Sequence, residues 1–184
     1  MAEKGYESEI DRKKVQKFAE KALGFLTGSV TSGMIFLGDR MGLYRALDGA
    51  GPMTSDGLAK KTGLHERWLR EWLEGQAAAG LLDYRGEAGF ELGPEAALVL
   101  ANEQSAAFMA GGFCQLPQQM GVLERLPESF KTGIGLPYDV FGPEGARGIE
   151  RFIAPWFQAH LVRRALPALA VSYTHLTLPT SDLV

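Results

Sequence analysis

Met53 to Leu92 read MTSDGLAKKTGLHERWLREWLEGQAAAGLLDYRGEAGFEL, and the punctuation of this stretch decides the fold. Thr54 or Ser55 can cap a short helix carrying Leu58 and Ala59, since either hydroxyl can accept from a free N–H of the first turn. Gly63 supplies the tight turn that closes it, and a longer helix starts near His65. Trp68, Leu69, Trp72 and Leu73 stand one, three and four residues apart, which places them on one face of that helix, and Gly80 stops it. Leu81, Leu82 and Tyr84 then lead through Arg85-Gly86-Glu87-Ala88-Gly89 into Phe90-Glu91-Leu92, two short strands around a glycine turn. A capped helix, a turn, a second helix and a hairpin in that order predict a winged helix-turn-helix with a small β-hairpin wing.

Working outward toward the N-terminus, Val15, Phe18, Ala19, Ala22, Leu23 and Leu26 recur at helical spacing and predict an amphipathic helix from Asp11 to Thr27. A second helix is expected from about Thr31 to Leu47, ended by Asp48-Gly49-Ala50-Gly51-Pro52. The run from Ala22 to Gly38 carries no charge, but its glycines, serines and threonines make it too polar and too short for a bilayer span. Its small residues favour close helix approach, and Met34, Ile35, Phe36 and Leu37 offer apolar surface that one narrow helix face cannot hide. These helices are therefore expected to form a homodimer contact. Toward the C-terminus a short helix through Ala97, Leu98 and Leu100 follows Gly93-Pro94. Ser105 to Leu169 reads as mostly helical, broken at Pro117, Pro127, Pro137, Pro143 and Pro155. Phe130 to Gly145, FKTGIGLPYDVFGPEG, is expected to be an ordered loop between helices.

With 184 residues, 46% of them apolar and 22% charged, the chain can bury one sizeable core. The fold class expected is mainly α, a winged helix-turn-helix with flanking helices. The organisation reads as N-terminal dimerisation helices over 1–47, a winged helix over 48–101, and a helical connector and substrate lid over 102–170. Val171 to Thr180, VSYTHLTLPT, is similar to the translation of a transposon-end sequencing adapter, so 171–184 is read as an artefactual tail and set aside. Cys114 is the only cysteine and no export signal precedes the first helix, which points to a cytoplasmic protein without disulfides.

The motifs of chemistry are sparse. No glycine-rich loop follows a buried strand, so no cofactor cradle is expected, and His65, His160 and His175 have no metal-ligand spacing to Cys114 or to carboxylates. Nothing marks a nucleophile, and Cys114 reads as a small apolar side chain. The winged helix raises a DNA-binding regulator as an alternative. Its charges argue against that: from Thr54 to Leu92, Lys60, Lys61, Arg67, Arg70 and Arg85 are outnumbered by Asp56, Glu66, Glu71, Glu74, Asp83, Glu87 and Glu91. The whole chain has a net charge of −3, so no surplus of cations awaits a polyphosphate. Neither nucleic acid nor membrane is an expected partner.

Several blocks together resemble one family. ERWLREWLEGQAAAGLLDY (Glu66 to Tyr84), FELGPEAALVLANEQSAAFMAGGF (Phe90 to Phe113), FKTGIGLPYDVFG (Phe130 to Gly142) and LPAL (Leu166 to Leu169) are similar to segments of S-adenosylmethionine-dependent small-molecule methyltransferases. In that family a winged-helix N-terminal domain precedes a Rossmann-like catalytic domain. The resemblance implies a domain serving dimerisation and pocket formation, with S-adenosylmethionine bound in a catalytic domain that is missing here: its Gly-rich loop should follow Leu169, where the adapter-like tail stands. It further implies a small-molecule substrate met by a wall or lid for which Phe113, Tyr138, Phe141 and Trp156 are the candidates, with no catalytic, cofactor-binding or metal residue in this stretch.

Overall fold

The computed structural model describes residues 10–173. Its first element, α1 (Arg12–Arg40), is 29 residues long. Asp11 caps it, its carboxylate accepting from the N–H groups of Lys13 and Lys14 at 2.9 and 3.3 Å. The two helices expected on either side of Gly28 are thus one. The hydroxyls of Ser29, Thr31 and Ser32, which could have opened the chain, donate instead to the carbonyls of Leu26, Thr27 and Gly28 at 2.8, 3.0 and 2.7 Å and are satisfied inside the helix. The break falls later, at Gly42, whose φ of +71° suits a residue without a Cβ. A short α2 (Leu43–Leu47) follows.

The helix-turn-helix comprises α3 (Ser55–Thr62) and α4 (Glu66–Ala78). Thr54 caps α3 by accepting from the Gly57 N–H, Gly63 ends it with φ +72°, and His65 caps α4 through Nδ1 at 3.3 Å from the Arg67 nitrogen. Ser55 Oγ donates to Glu66 at 2.7 Å and ties the two helices across the turn. Leu69, Trp72 and Leu73 are buried as their spacing required, but Trp68 is 74% exposed. With 3.6 residues per turn the core-facing arc is filled by Leu69, Trp72, Leu73 and Gln76, and Trp68 falls at its edge.

The wing is β1 (Asp83–Tyr84) paired antiparallel with β2 (Phe90–Glu91), Asp83 opposite Glu91 and Tyr84 opposite Phe90, around a 3-10 turn at Gly86–Ala88. Phe90 also bridges back to Met53, a pairing the hairpin signal alone did not contain. Gly89 is required there, because a Cβ would run into the Met53 carbonyl. After α5 (Pro94–Leu100) come α6 (Leu116–Gly121), α7 (Leu126–Thr132), α8 (Gly142–His160) and α9 (Leu166–Tyr173), with a π-helical turn at Leu161–Ala165. Pro117, Pro127 and Pro143 lie in the first turns of α6, α7 and α8, so they begin helices where a break was expected, the missing N–H costing nothing there. Pro155 is buried within α8. The stretch Phe130 to Gly145 divides among the end of α7, a short loop, a 3-10 turn at Tyr138–Phe141 and the start of α8.

A single core gathers Ile35 of α1, Leu43, Tyr44 and Leu47 of α2, Leu58 of α3, the inward face of α4, Leu82, Phe90 and Leu92 around the wing, and Leu100, Phe108 and Ala110 beyond it. Packing therefore joins what the chain positions 47/48 and 101/102 divide on paper. Of the stretch read as an artefactual tail, Thr174 to Val184 lie outside the described residues.

Candidate functional site

Two features lie back to back where α8 crosses the chain after α5. In the loop that approaches them, Asn102 Oδ1 accepts from the Gln104 N–H at 2.9 Å and Ser105 Oγ from the Ala107 N–H at 3.1 Å, which turns Phe108 inward. A 3-10 segment, Ala110–Gln115, then lies directly under α8. The approach is glycine-dependent: a Cβ on Gly111 would stand 2.9 Å from the Arg151 carbonyl carbon, and one on Gly148 2.7 Å from Gln115 Cγ. On one side of this crossing Ala106, Phe108, Met109, Phe152, Ile153 and Trp156 line an apolar cavity of about 250 Å³.

On the other side sits an ion cluster built on one buried carboxylate. Asp39, near the end of α1, is 4% exposed. Arg151 of α8 grips it with both terminal nitrogens, Nη1 to Oδ2 at 2.8 Å and Nη2 to Oδ1 at 3.0 Å, and Nη2 also donates to Glu103 at 2.5 Å. Arg45 of α2 reaches Glu103 at 3.2 Å and the Asp39 carboxylate at 3.5 Å. Cys114 Sγ lies 2.7 Å from Arg151 Nη1 and 3.4 Å from Asp39 Oδ2. Burial by itself would raise the Asp39 carboxyl, but the hydrogen bonds and charge of Arg151, helped by Cys114 and Arg45, outweigh it and hold the acid below its ordinary value of 3.8. Burial pushes the Cys114 thiol up, and Arg151 only partly offsets this, so the sulfur stays protonated and is a poor nucleophile. The Asp39 hydrogen bond in turn keeps Arg151 charged against its own desolvation.

The expected wall residues do not converge. Trp156 lines the cavity, its ring stacked on His160 at 4.9 Å. Phe113 packs against the core. Tyr138 and Phe141 meet each other edge to face at 6.0 Å on the 3-10 turn before α8, and neither lines that cavity. Sequence reading missed Phe108, Met109, Phe152 and Ile153, whose apolar character is indistinguishable from core without knowing that α8 crosses here. It also missed the Asp39–Arg151 pair, although Asp39 is the first charge after a long uncharged run.

The residues described do not fit S-adenosylmethionine. Their only strands are the two of the wing, Gly111 is closed over by the α8 backbone, and no strand passes through an open glycine loop into a helix. Among the described residues no three His, Cys, Asp or Glu side chains are grouped to hold a metal ion, and no helix is long and apolar enough to cross a membrane.

The family model of the Rv2258c-like winged HTH domain matches residues 29–102. The match takes in the second half of α1 as well as the helix-turn-helix and wing, in keeping with the place of Ile35 and Asp39 in the packing. Two solved structures share the fold of the larger part of the chain. One is the mitomycin 7-O-methyltransferase MmcR, at 23% identity and a TM-score of 0.60, covering 80% of this chain and 47% of that one. The other is the N,N-8-amino-8-demethyl-D-riboflavin dimethyltransferase RosA from Streptomyces davawensis, at 22% identity and 0.59, covering 77% and 45%. The chain thus spans about half the length of each. No curated protein matches it in sequence.

Proposed function

We propose that this chain is the accessory part of an S-adenosylmethionine-dependent methyltransferase acting on a small molecule. On this reading its winged HTH domain serves dimerisation and its α8 crossing forms one wall of the substrate pocket. The observation that carries the reading is the shared fold with two methyltransferases over most of this chain but under half of theirs. The cofactor would be held by a catalytic domain beyond the described residues. The cavity against α8 fits an apolar or aromatic acceptor, because Phe108, Met109, Phe152, Ile153 and Trp156 supply rings and alkyl surface and no charge.

The dimer contact is assigned to α1. Phe18, Leu23, Phe25, Leu26 and Val30 are all more than 60% exposed on it, and Gly24, Gly28 and Gly33 have open space where a Cβ would be. Farther along, Met34, Leu37 and Met41 join Leu64, Trp68 and Leu69 in an apolar groove of about 370 Å³, continuous with that face. Pairing two copies across a two-fold axis would remove both surfaces from water. A regulator would need free cations on α4 and the wing. Instead Arg67 is paired with Glu71 at 3.0 Å, Arg70 with Glu66 at 3.5 Å, and Arg85 with both Asp83 and Glu91 at 2.9 and 2.8 Å.

Sequencing the genomic locus past the Leu169 codon, with adapter sequence trimmed, tests the reading. A strand, a glycine-rich loop and a helix are expected within about 30 residues, the length of one βα unit and its loop. A protein extended to include them should bind S-adenosylmethionine in calorimetry where the present chain gives no heat. A stop codon near Ala170, or cofactor binding by the present chain, would overturn it.

A further inference from the structure

The ion cluster and the apolar cavity share their walls. The Arg151 guanidinium that grips Asp39 lies 5.7 Å from the centroid of the Phe108 ring, which is the cavity's floor, and the next two residues of α8, Phe152 and Ile153, are cavity lining. The Phe152 ring in turn rests on Gly112, 3.2 Å from where a Cβ would be. Glu103, the second carboxylate on Arg151, begins the loop that delivers Phe108 and Met109. Glycine contacts bring α8 close, Gly111 against the Arg151–Phe152 peptide and Gly148 against Gln115 and Cys114, but they carry no hydrogen bond of their own. The bidentate pair is directional and fixes where along its axis α8 sits.

We propose that Asp39, without touching a ligand itself, is a positioning residue for the cavity on α8. Through Arg151 it sets the register of α8 on the Ala110–Gln115 segment and so the spacing between Phe152, Ile153 and Trp156 on one wall and Phe108 and Met109 on the other. Because Asp39 belongs to α1, the helix that carries the exposed apolar face, the pair also joins the cavity to that face through one rigid element. The proposal rests on the reading of the cavity as a pocket for an aromatic molecule, and its test separates the two.

The full chain labelled with 5-fluorotryptophan carries three fluorine probes, Trp68, Trp72 and Trp156, assigned with Trp68→Phe and Trp156→Phe. Titration with 2-naphthol should move the Trp156 resonance. Asp39→Asn and Arg151→Met should each displace that resonance before any ligand is added and weaken naphthol binding roughly tenfold. The double variant should be no worse than either single one, Asp39→Glu should recover part of the loss, and the Trp68 resonance should stay in place. Arg151→Lys, which keeps the charge but not the fork, is the milder variant should the others not fold, and it should displace Trp156 in the same direction. If naphthol does not bind the unaltered chain, the pocket reading fails, and the role of Asp39 is decided by the Trp156 resonance alone. An unmoved Trp156 resonance in these variants, additive effects in the double variant, or displacement of all three resonances together would overturn the proposal.

Discussion

Gly38 is the point at which α1 can be approached most closely: a Cβ there would stand 2.5 Å from Trp72 Cζ2 and 2.7 Å from Tyr44 Cε2. The contact also sets the Trp72 indole N–H on the Met34 carbonyl at 2.9 Å, so one small residue governs both the packing of α4 on α1 and a side-chain hydrogen bond. Gly38→Ala should lower stability by about 1–3 kcal/mol through overpacking, read as a lower urea midpoint. Gly75→Ala within α4, where nothing lies within 4 Å, should raise stability by about 0.5–1 kcal/mol through propensity alone. The neighbouring Asp39 carries the pH dependence. It faces Arg151, Arg45 and Cys114, with Glu103 sharing both arginines, and its acid is depressed in the folded chain. Its contribution is therefore complete above the ordinary value of 3.8 and is lost as pH falls through the lower folded value. Arg151 is 31% exposed and keeps Glu103 as a partner, so Asp39→Asn should lower stability at neutral pH by about 1–3 kcal/mol, the cost of leaving a charged hydrogen bond unmade. Thermal melts between pH 7 and pH 2 should show the variant less acid-sensitive than the parent.

At the scale of the element, α1 has two different faces along one axis. Its last turns are core: Ile35 is 8% exposed and Asp39 less. Phe36, expected to contribute to an apolar face, borders the arginine cluster instead. The upstream turns carry Phe18, Phe25 and Leu26 at spacings of seven and eight, one side of the helix, and all are exposed. On the proposed α1 contact, a double substitution Phe25→Glu and Leu26→Lys should shift the chain from dimer to monomer in sedimentation velocity without altering its circular dichroism. Losing about 1.5–3 kcal/mol per apolar side chain at a two-fold contact corresponds to a dissociation constant raised by more than about a hundredfold. A variant that sediments as the parent would place the dimer contact elsewhere. Ile35→Asp is predicted to unfold the winged HTH domain, since a carboxylate there has no partner in the core.

For the molecule as a whole, the paired arginines of α4 and the wing predict weak and sequence-indifferent binding to duplex DNA, lost between low and physiological salt in fluorescence anisotropy. Tight, selective retention at physiological salt would favour a regulator. The winged helix itself was legible in the sequence because its signals are local. Thr54, Gly63, His65 and Gly80 act within a turn of where they stand, and the glycine turn from Gly86 to Gly89 needs only its own hairpin. The charge balance of the domain was equally a property of composition. What the sequence could not decide is whatever depends on residues far apart meeting. The length of α1 turned on whether hydroxyls bond inside the helix, and the exposure of Trp68 on which arc of α4 the core takes. The cavity exists because three glycines let α8 lie against a segment some forty residues earlier, and the Asp39–Arg151 pair spans more than a hundred residues. Local backbone preference fixes caps, turns and periodic faces, whereas which faces are buried and which charges are paired is settled only by the packing that removes them from water.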